Sequence, residues 1–212
     1  MLTQYLTVAG RGEHEIVIEK SRFISHIARV ETEDAAQAFI QEIKKKHKDA
    51  THNCSAYIIG EQNQIQKALD DGEPSGTAGV PILEVLKKKD LKDTAVVVTR
   101  YFGGIKLGAG GLIRAYSKAT SEGINTTGVV VRKLMRVIST TVDYTWLGKL
   151  ENELRSSIYQ IKEIQYLDQV KVLVYVEETQ KETYTAWITE LTNGQGHITE
   201  EEMLYLEEEF SG

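Results

Sequence analysis

Asp70–Lys118 reads DDGEPSGTAGVPILEVLKKKDLKDTAVVVTRYFGGIKLGAGGLIRAYSK. An acidic turn leads to a helix pattern, then a β-branched run, then a glycine-rich loop that opens a second helix pattern. Thr94–Tyr101 is apolar enough to be a central strand. Gly103, Gly104, Gly108, Gly110 and Gly111 crowd the loop behind it. Glycine is costly to order and packs nothing, so this density marks positive φ or close backbone approach. From Thr94 to Lys118 the chain carries the cations Arg100, Lys106, Arg114 and Lys118 and no acid. Glycines, a helix N-terminus and basic side chains without acids together describe an anion site.

The flanking patterns supply the frame for that loop. Thr77 is placed to cap a helix running to about Lys89, and Pro81 holds its start to Gly79 or Val80. Gly110–Gly123 reads as a helix burying Leu112, Ala115, Tyr116 and Ala119. Arg114 and Lys118, four residues apart, share another face of it. Upstream, residues 13–30 alternate as one or two strands with a turn near Lys20-Ser21. Glu33–Lys48 has helical spacing through Ala35, Ala38, Phe39 and Ile43, and its lysine run suits a helix C-terminus. Ser55–Ile59 and Gln64–Leu69 read as a hairpin across residues 60–63.

After Arg136 the pattern changes. Strand, helix, strand, strand, helix and strand follow through Val137–Tyr144, Trp146–Ser157, Ile158–Leu167, Val170–Val176, Gln180–Leu191 and His197–Leu206. That βαββαβ order is the ferredoxin-like sandwich. The expected division is therefore 1–136 and 137–212. Charge divides with it. Residues 1–136 carry 20 Lys and Arg against 16 Asp and Glu, and residues 137–212 carry 5 against 15. The basic half suits an anionic partner, and the acidic half repels phosphate.

Composition excludes several classes. No apolar run approaches the ~20 residues of a membrane span, and no basic region followed by an apolar stretch suggests a secretory signal. The single cysteine, Cys54, rules out an internal disulfide framework, and a reducing cytoplasm is the expected setting. His14, His26, His47 and His197 show no metal-ligand spacing, so neither a metal nor a cofactor is expected. The loop lacks GxxxxGK[ST], and Ile113 stands where the third glycine of GxGxxG would be.

Other polar residues have competing readings. Asp70, Asp71 and Glu73 can hold Mg²⁺, pair with Arg100 or Arg114, or build the turn; a structural role is favoured. Ser75 and Thr77 with their amides form a candidate second anion nest, although capping accounts for Thr77. His52 and Cys54 lie two apart on one strand face. That spacing does not favour a thiol–imidazole bond, so Cys54 reads as buried and no catalytic residue is assigned. The aromatics of the C-terminal half lack an RNP1 pattern and read as packing.

DDGEPSGTAG (Asp70–Gly79), VTRYFGGIKLGAGGLIRAYSKA (Val98–Ala119) and THNCSAY (Thr51–Tyr57) closely resemble the signature of the IMPACT family, in particular its bacterial YigZ/YvyE-like members. The resemblance runs the length of the chain. It implies an α+β N-terminal domain like domain two of the small-subunit ribosomal protein five. It also implies a ferredoxin-like C-terminal domain similar to the last domain of elongation factor G. Eukaryotic relatives modulate translational control by competing for an activator of a stress-responsive kinase. No segment here resembles the RWD domain through which they engage that activator. LGAGGLIRA also resembles the phosphate loop of GHMP small-molecule kinases, with Gly111-Leu112 in place of its hydroxyl residues.

These readings combine into a binding protein for RNA or a ribosome-associated complex, with a regulatory role in translation and no membrane partner. Arg100, Lys106, Arg114 and Lys118 are the expected phosphate contacts. The alternatives are an enzyme acting on a phosphorylated small molecule or nucleotide, with Asp70, Asp71 and Glu73 as metal or base groups, and a protein-interaction module.

Overall fold

The computed structural model describes residues 1–210. The chain forms two compact units, one of Tyr5–Val131 with the chain from Glu208 on, the other of Met1–Gln4 with Arg132–Glu207. Both are mixtures of helix and sheet, the two-domain α+β class that the patterns imply.

The larger unit is built on an antiparallel sheet of order β2-β3-β6-β4-β5. Its strands are β2 (Gly12–Ile18), β3 (Ser21–Arg29), β4 (His52–Ile59), β5 (Ile65–Leu69) and β6 (Thr94–Tyr101). β1 (Gln4–Val8), which has no clear period in the sequence, is held by a parallel bridge from Leu6 to Leu91. β2 and β3 turn through Glu19 and Lys20, both at positive φ, as a two-residue hairpin of this twist requires. β6 is central, and its residues from Thr94 to Arg100 are all buried. Cys54, Ala56, Ile58, Val96 and Val98 face α2 (Gly79–Lys88) and α3 (Gly108–Thr127). Tyr57, Ile59, Ala95 and Val97 pack instead with α1 (Glu33–Lys46). The period of two along each strand thus feeds two cores, one on each side of the sheet.

Three helix expectations are corrected. α1 buries Ala36, Phe39, Ile40 and Ile43, leaving Ala35 and Ala38 exposed. Alanine carries too little apolar area to set a helix's phase, and Phe39, Ile40 and Ile43 set it. The α1 N-cap is Thr32, whose side chain accepts from Ala35 N–H at 3.2 Å. Thr77 caps nothing: its hydroxyl donates to Pro74 O at 2.6 Å, and α2 begins after Ala78 without a side-chain cap of its own. α3 begins at Gly108, earlier than the expected Gly110, and runs 20 residues. Its buried face holds Leu112, Ala115, Tyr116 and Ala119, as its period implies.

The smaller unit carries β7 (Val129–Val142, entered from the larger unit), α4 (Tyr144–Arg155), β8 (Gln160–Tyr166), β9 (Val170–Glu177), α5 (Lys181–Leu191) and β10 (His197–Glu209). β7 pairs with both β9 and β10, and β9 with β8. The order β10-β7-β9-β8 is ferredoxin-like. Asp143 caps α4 by accepting from Thr145 N–H at 3.1 Å. Val170, Val172, Val174 and Val176 alternate along β9 into a core with Leu150, Leu154, Tyr184 and Ile188. Tyr159, Tyr184 and Trp187 pack on one another, with ring centroids 4.8–6.1 Å apart. These aromatics serve the core.

Candidate anion-binding site

β6 delivers Arg100 to the end of the central strand, and the guanidinium is already engaged. Its Nη1 donates to Glu73 Oε1 at 2.6 Å, and both side chains are nearly sealed, 6% and 3% exposed. Tyr116 OH, from the buried face of α3, donates to the same oxygen at 2.8 Å. Glu73 Oε2 accepts no hydrogen bond among the described residues; His52 Nε2 stands 3.8 Å away. Arg100 Nη2 lies 3.4 Å from Ser21 Oγ, while Arg100 Nε is buried without a partner among the described residues. The guanidinium is flanked by the rings of Phe23 and Phe102, 5.4 and 5.5 Å from their centroids. A buried charge pair of this kind is costly to break, because either charge left alone is unsolvated.

The acidic turn beneath it is structural in its contacts. Asp70 Oδ1 accepts from Gly79 N–H at 2.8 Å and Ala78 N–H at 3.1 Å, and Oδ2 from Gly76 N–H at 2.8 Å. Asp70 thus serves the start of α2 in the way expected of Thr77. Burial alone would raise its pKa; the three backbone amides outweigh that and hold it below the usual carboxylate range. Asp71 bonds Lys44 Nζ at 2.6 Å and accepts from Asn53 N–H at 2.7 Å. Ser75 is exposed on the turn. Among the described residues no group of three or more His, Cys, Asp or Glu has metal-holding geometry.

His52 and Cys54 have separate partners. His52 Nδ1 lies 2.8 Å from Asp71 O, and Cys54 Sγ donates to Asp70 O at 2.9 Å. Burial pushes the Cys54 thiol up to about 12, far from the thiolate a nucleophile needs.

The glycine loop divides into distinct physical roles. A Cβ on Gly103 would lie 2.0 Å from the Lys20 backbone, so its close approach is to the chain itself. Gly104 and Gly108 take positive φ, 89° and 68°. Gly110 has neither constraint. A Cβ there would meet only the Arg114 Nη1, at 3.5 Å. Gly111 lies against Leu107 in the first turn of α3. That turn has no side-chain cap and no acid, so its amides lack intrahelical partners.

The four cations do not converge on one point. Arg100 and Lys106 line a cleft of about 300 Å³ with Glu73, Phe102, Leu107 and Leu112. Lys106 and Arg114 are exposed and make no ion pair among the described residues. Arg114 stands on α3 above Gly110, outside the cleft lining. Lys118 lies 3.7 Å from Glu122 and borders a separate groove with Lys88, the last residue of α2, and Lys89, its C-cap.

Phe102, Tyr116 and His52 complete the surroundings of the Glu73–Arg100 pair, and the site residues read from the sequence omit them. Tyr116 carried a usable signal, since a phenol on a helix's buried face needs a partner for its hydroxyl. Phe102 had none, because only the fold leaves its ring 47% exposed at the mouth of a cleft.

Two family models match the chain, the Impact N-terminal domain over residues 19–124 and a domain of unknown function, DUF1949, over residues 140–195. The chain is 67% identical over 207 residues to the IMPACT family member YvyE of Bacillus subtilis, covering 98% of this chain and 95% of that one. It is 30% identical over 195 residues to an IMPACT family member of Haemophilus influenzae, covering 91% and 95%. With YigZ of Escherichia coli it shares 41% identity over 109 residues, about half of each chain. A crystal structure of a hypothetical protein superimposes with a TM-score of 0.61 at 28% identity, covering 95% of this chain and 99% of that one. Both domain matches and near full-length relatives agree with the motifs around the cleft, and the chain belongs to the IMPACT family.

Proposed function

We propose that this protein binds RNA through the larger unit and acts as an RNA- or ribosome-associated regulator of translation. A backbone phosphate sits at the uncapped N-terminus of α3, against the amides around Gly110, with Lys106 and Arg114 as its counter-charges. The observation that carries the reading is a pair of cations, without an acidic partner among the described residues, flanking a bare helix N-terminus beside a glycine that no steric or φ constraint demands. Gly110 costs helix stability relative to alanine, and leaving the backbone accessible to a ligand accounts for that cost. Arg100 acts from below, holding Glu73 neutralised so that no free carboxylate repels the phosphate. The translational role rests on the family resemblance. Residues 1–136 form the binding domain in this reading and residues 137–212 the second domain.

A fluorescence titration of the full-length protein with a single-stranded RNA at several salt concentrations tests it. Lys106→Ala with Arg114→Ala should weaken binding about tenfold or more and flatten the log K against log[salt] slope by ~1.4, the value for two single-strand phosphate contacts. An unchanged slope would remove these residues from the interface. A saturable thermal stabilisation by a nucleotide or phosphorylated metabolite, with no binding of RNA, would favour the enzyme alternative instead.

A further inference from the structure

We propose that the cleft beside α3 takes a single unstacked nucleobase, so that the RNA bound here is single-stranded. The proposal rests on the RNA reading and assigns the part of the nucleotide that the phosphate contacts leave unplaced. Three features of the cleft coincide.

The walls are apolar and include one aromatic ring. Pro74, Phe102, Leu107 and Leu112 line the cleft, and Phe102 is 47% exposed. A phosphate needs no such walls, whereas the flat face of a base gains from stacking on a ring. The cleft also holds unused polar capacity. Among the described residues Glu73 Oε2 accepts no hydrogen bond, with His52 Nε2 standing 3.8 Å away, while Arg100 Nε is buried and donates none. Every base edge carries both a donor and an acceptor, and a carboxylate beside a guanidinium is complementary to such an edge. An apolar ligand would leave the Glu73 oxygen unsatisfied at a cost.

The third feature is the mouth. Lys106 and the first residues of α3, Gly108 and Ala109, border the same cleft. The base subsite and the phosphate subsite are therefore adjacent, as they are in one nucleotide. The volume of about 300 Å³ suits one base. A base inside a duplex is stacked and paired, so it enters such a cleft only after extrusion, which costs energy that a single strand does not spend.

The test uses the full-length protein and three fluorescent ligands. They are a mixed-sequence single-stranded RNA ten-mer, the same ten-mer made abasic throughout, and its duplex. The key variant is Ala109→Trp, which fills the cleft from an exposed position in the first turn of α3 and removes neither Lys106 nor Arg114. Wild type should bind the single strand at least about tenfold tighter than the abasic strand or the duplex. Ala109→Trp should abolish the preference for the base-bearing strand over the abasic strand, read as the ratio of the two affinities within the variant. Phe102→Ala should act in the same direction. Equal wild-type affinity for base-bearing and abasic strands overturns the proposal, whatever the variants do. So does an Ala109→Trp protein that binds both strands as wild type does. In either case the phosphate reading stands. Failure of every strand to bind would remove the RNA reading and the base site together.

Discussion

The loop before α3 and the sheet of the smaller unit both carry exposed or half-exposed cations, and they dispose of them in opposite ways. On the sheet, Lys171 Nζ lies 2.7 Å from Glu201, Arg136 Nε 3.1 Å from Glu178, and Lys162 bonds Glu202. The acidic run at Glu200–Glu202 is spent on those partners, and the aromatics of that unit are spent on its core. At the start of α3, Lys106 and Arg114 have no acidic partner among the described residues, and Phe102 lies open in the cleft that Lys106 borders. A cation with an intramolecular partner gives up that partner before it meets a phosphate. A cation without one does not. The difference tells which surface is free to take an anion more surely than net charge does.

The contrast also separates buried charge from exposed charge, and that is where the largest effect is expected. Arg100→Ala leaves Glu73 buried and unpaired and should destabilise the larger unit by ~3–5 kcal/mol in chemical denaturation. Lys106→Ala should move stability by less than about 0.5 kcal/mol. Arg100→Met with Glu73→Gln should recover part of the loss. A small effect of Arg100→Ala would mean that the pair is wetter than its burial implies, and the division between structural and ligand-binding cations would blur.

Acid should separate the two units next. His26 is 3% exposed, and its Nε2 has no partner among the described residues. Burial drives its pKa down to about 4, against the opposing attraction of Glu13 and with help from His47 and Lys46. The unfolded chain takes up the proton near 6.5, whereas the folded protein resists it. Stability is therefore full above 6.5 and falls as the pH drops from 6.5 towards 4, by an amount on the order of 2 kcal/mol. His197, the histidine of the smaller unit, is exposed. The carboxylates held low by cations there, Glu178 and Glu201, lose their contribution only as the pH falls below the ordinary carboxylate value of 4.5. Tryptophan fluorescence reports Trp146 and Trp187 of the smaller unit, and amide hydrogen exchange reports the larger one. Between pH 6.5 and 5 only the larger unit should loosen. Parallel loosening would break the comparison.

The smallest effects are expected on the paired sheet. Lys171→Ala should cost about 0–1 kcal/mol of stability and leave RNA affinity and salt slope unchanged. If Lys171→Ala weakened RNA binding as much as Lys106→Ala, pairing would not be the property that distinguishes the two surfaces.

Elements with a strong period or a dense motif were legible from the residues alone. β6 shows as a β-branched run, α3 as a period of buried positions through Tyr116, and the second unit as its βαββαβ order. Those features depend on spacing within ten or twenty residues, where a helix or strand imposes a fixed phase on its side chains. The family motifs were also legible, since they are contiguous. Tertiary structure alone decided what stands opposite each polar side chain. Arg100 meets Glu73 across 27 residues of sequence, Asp70 takes the amides at the start of α2, and Lys118 turns to another groove. Periodicity gives the face on which a residue lies. Which group occupies the facing position depends on strand order and helix placement, and on that depends whether a cation is spent on a carboxylate or left for a ligand.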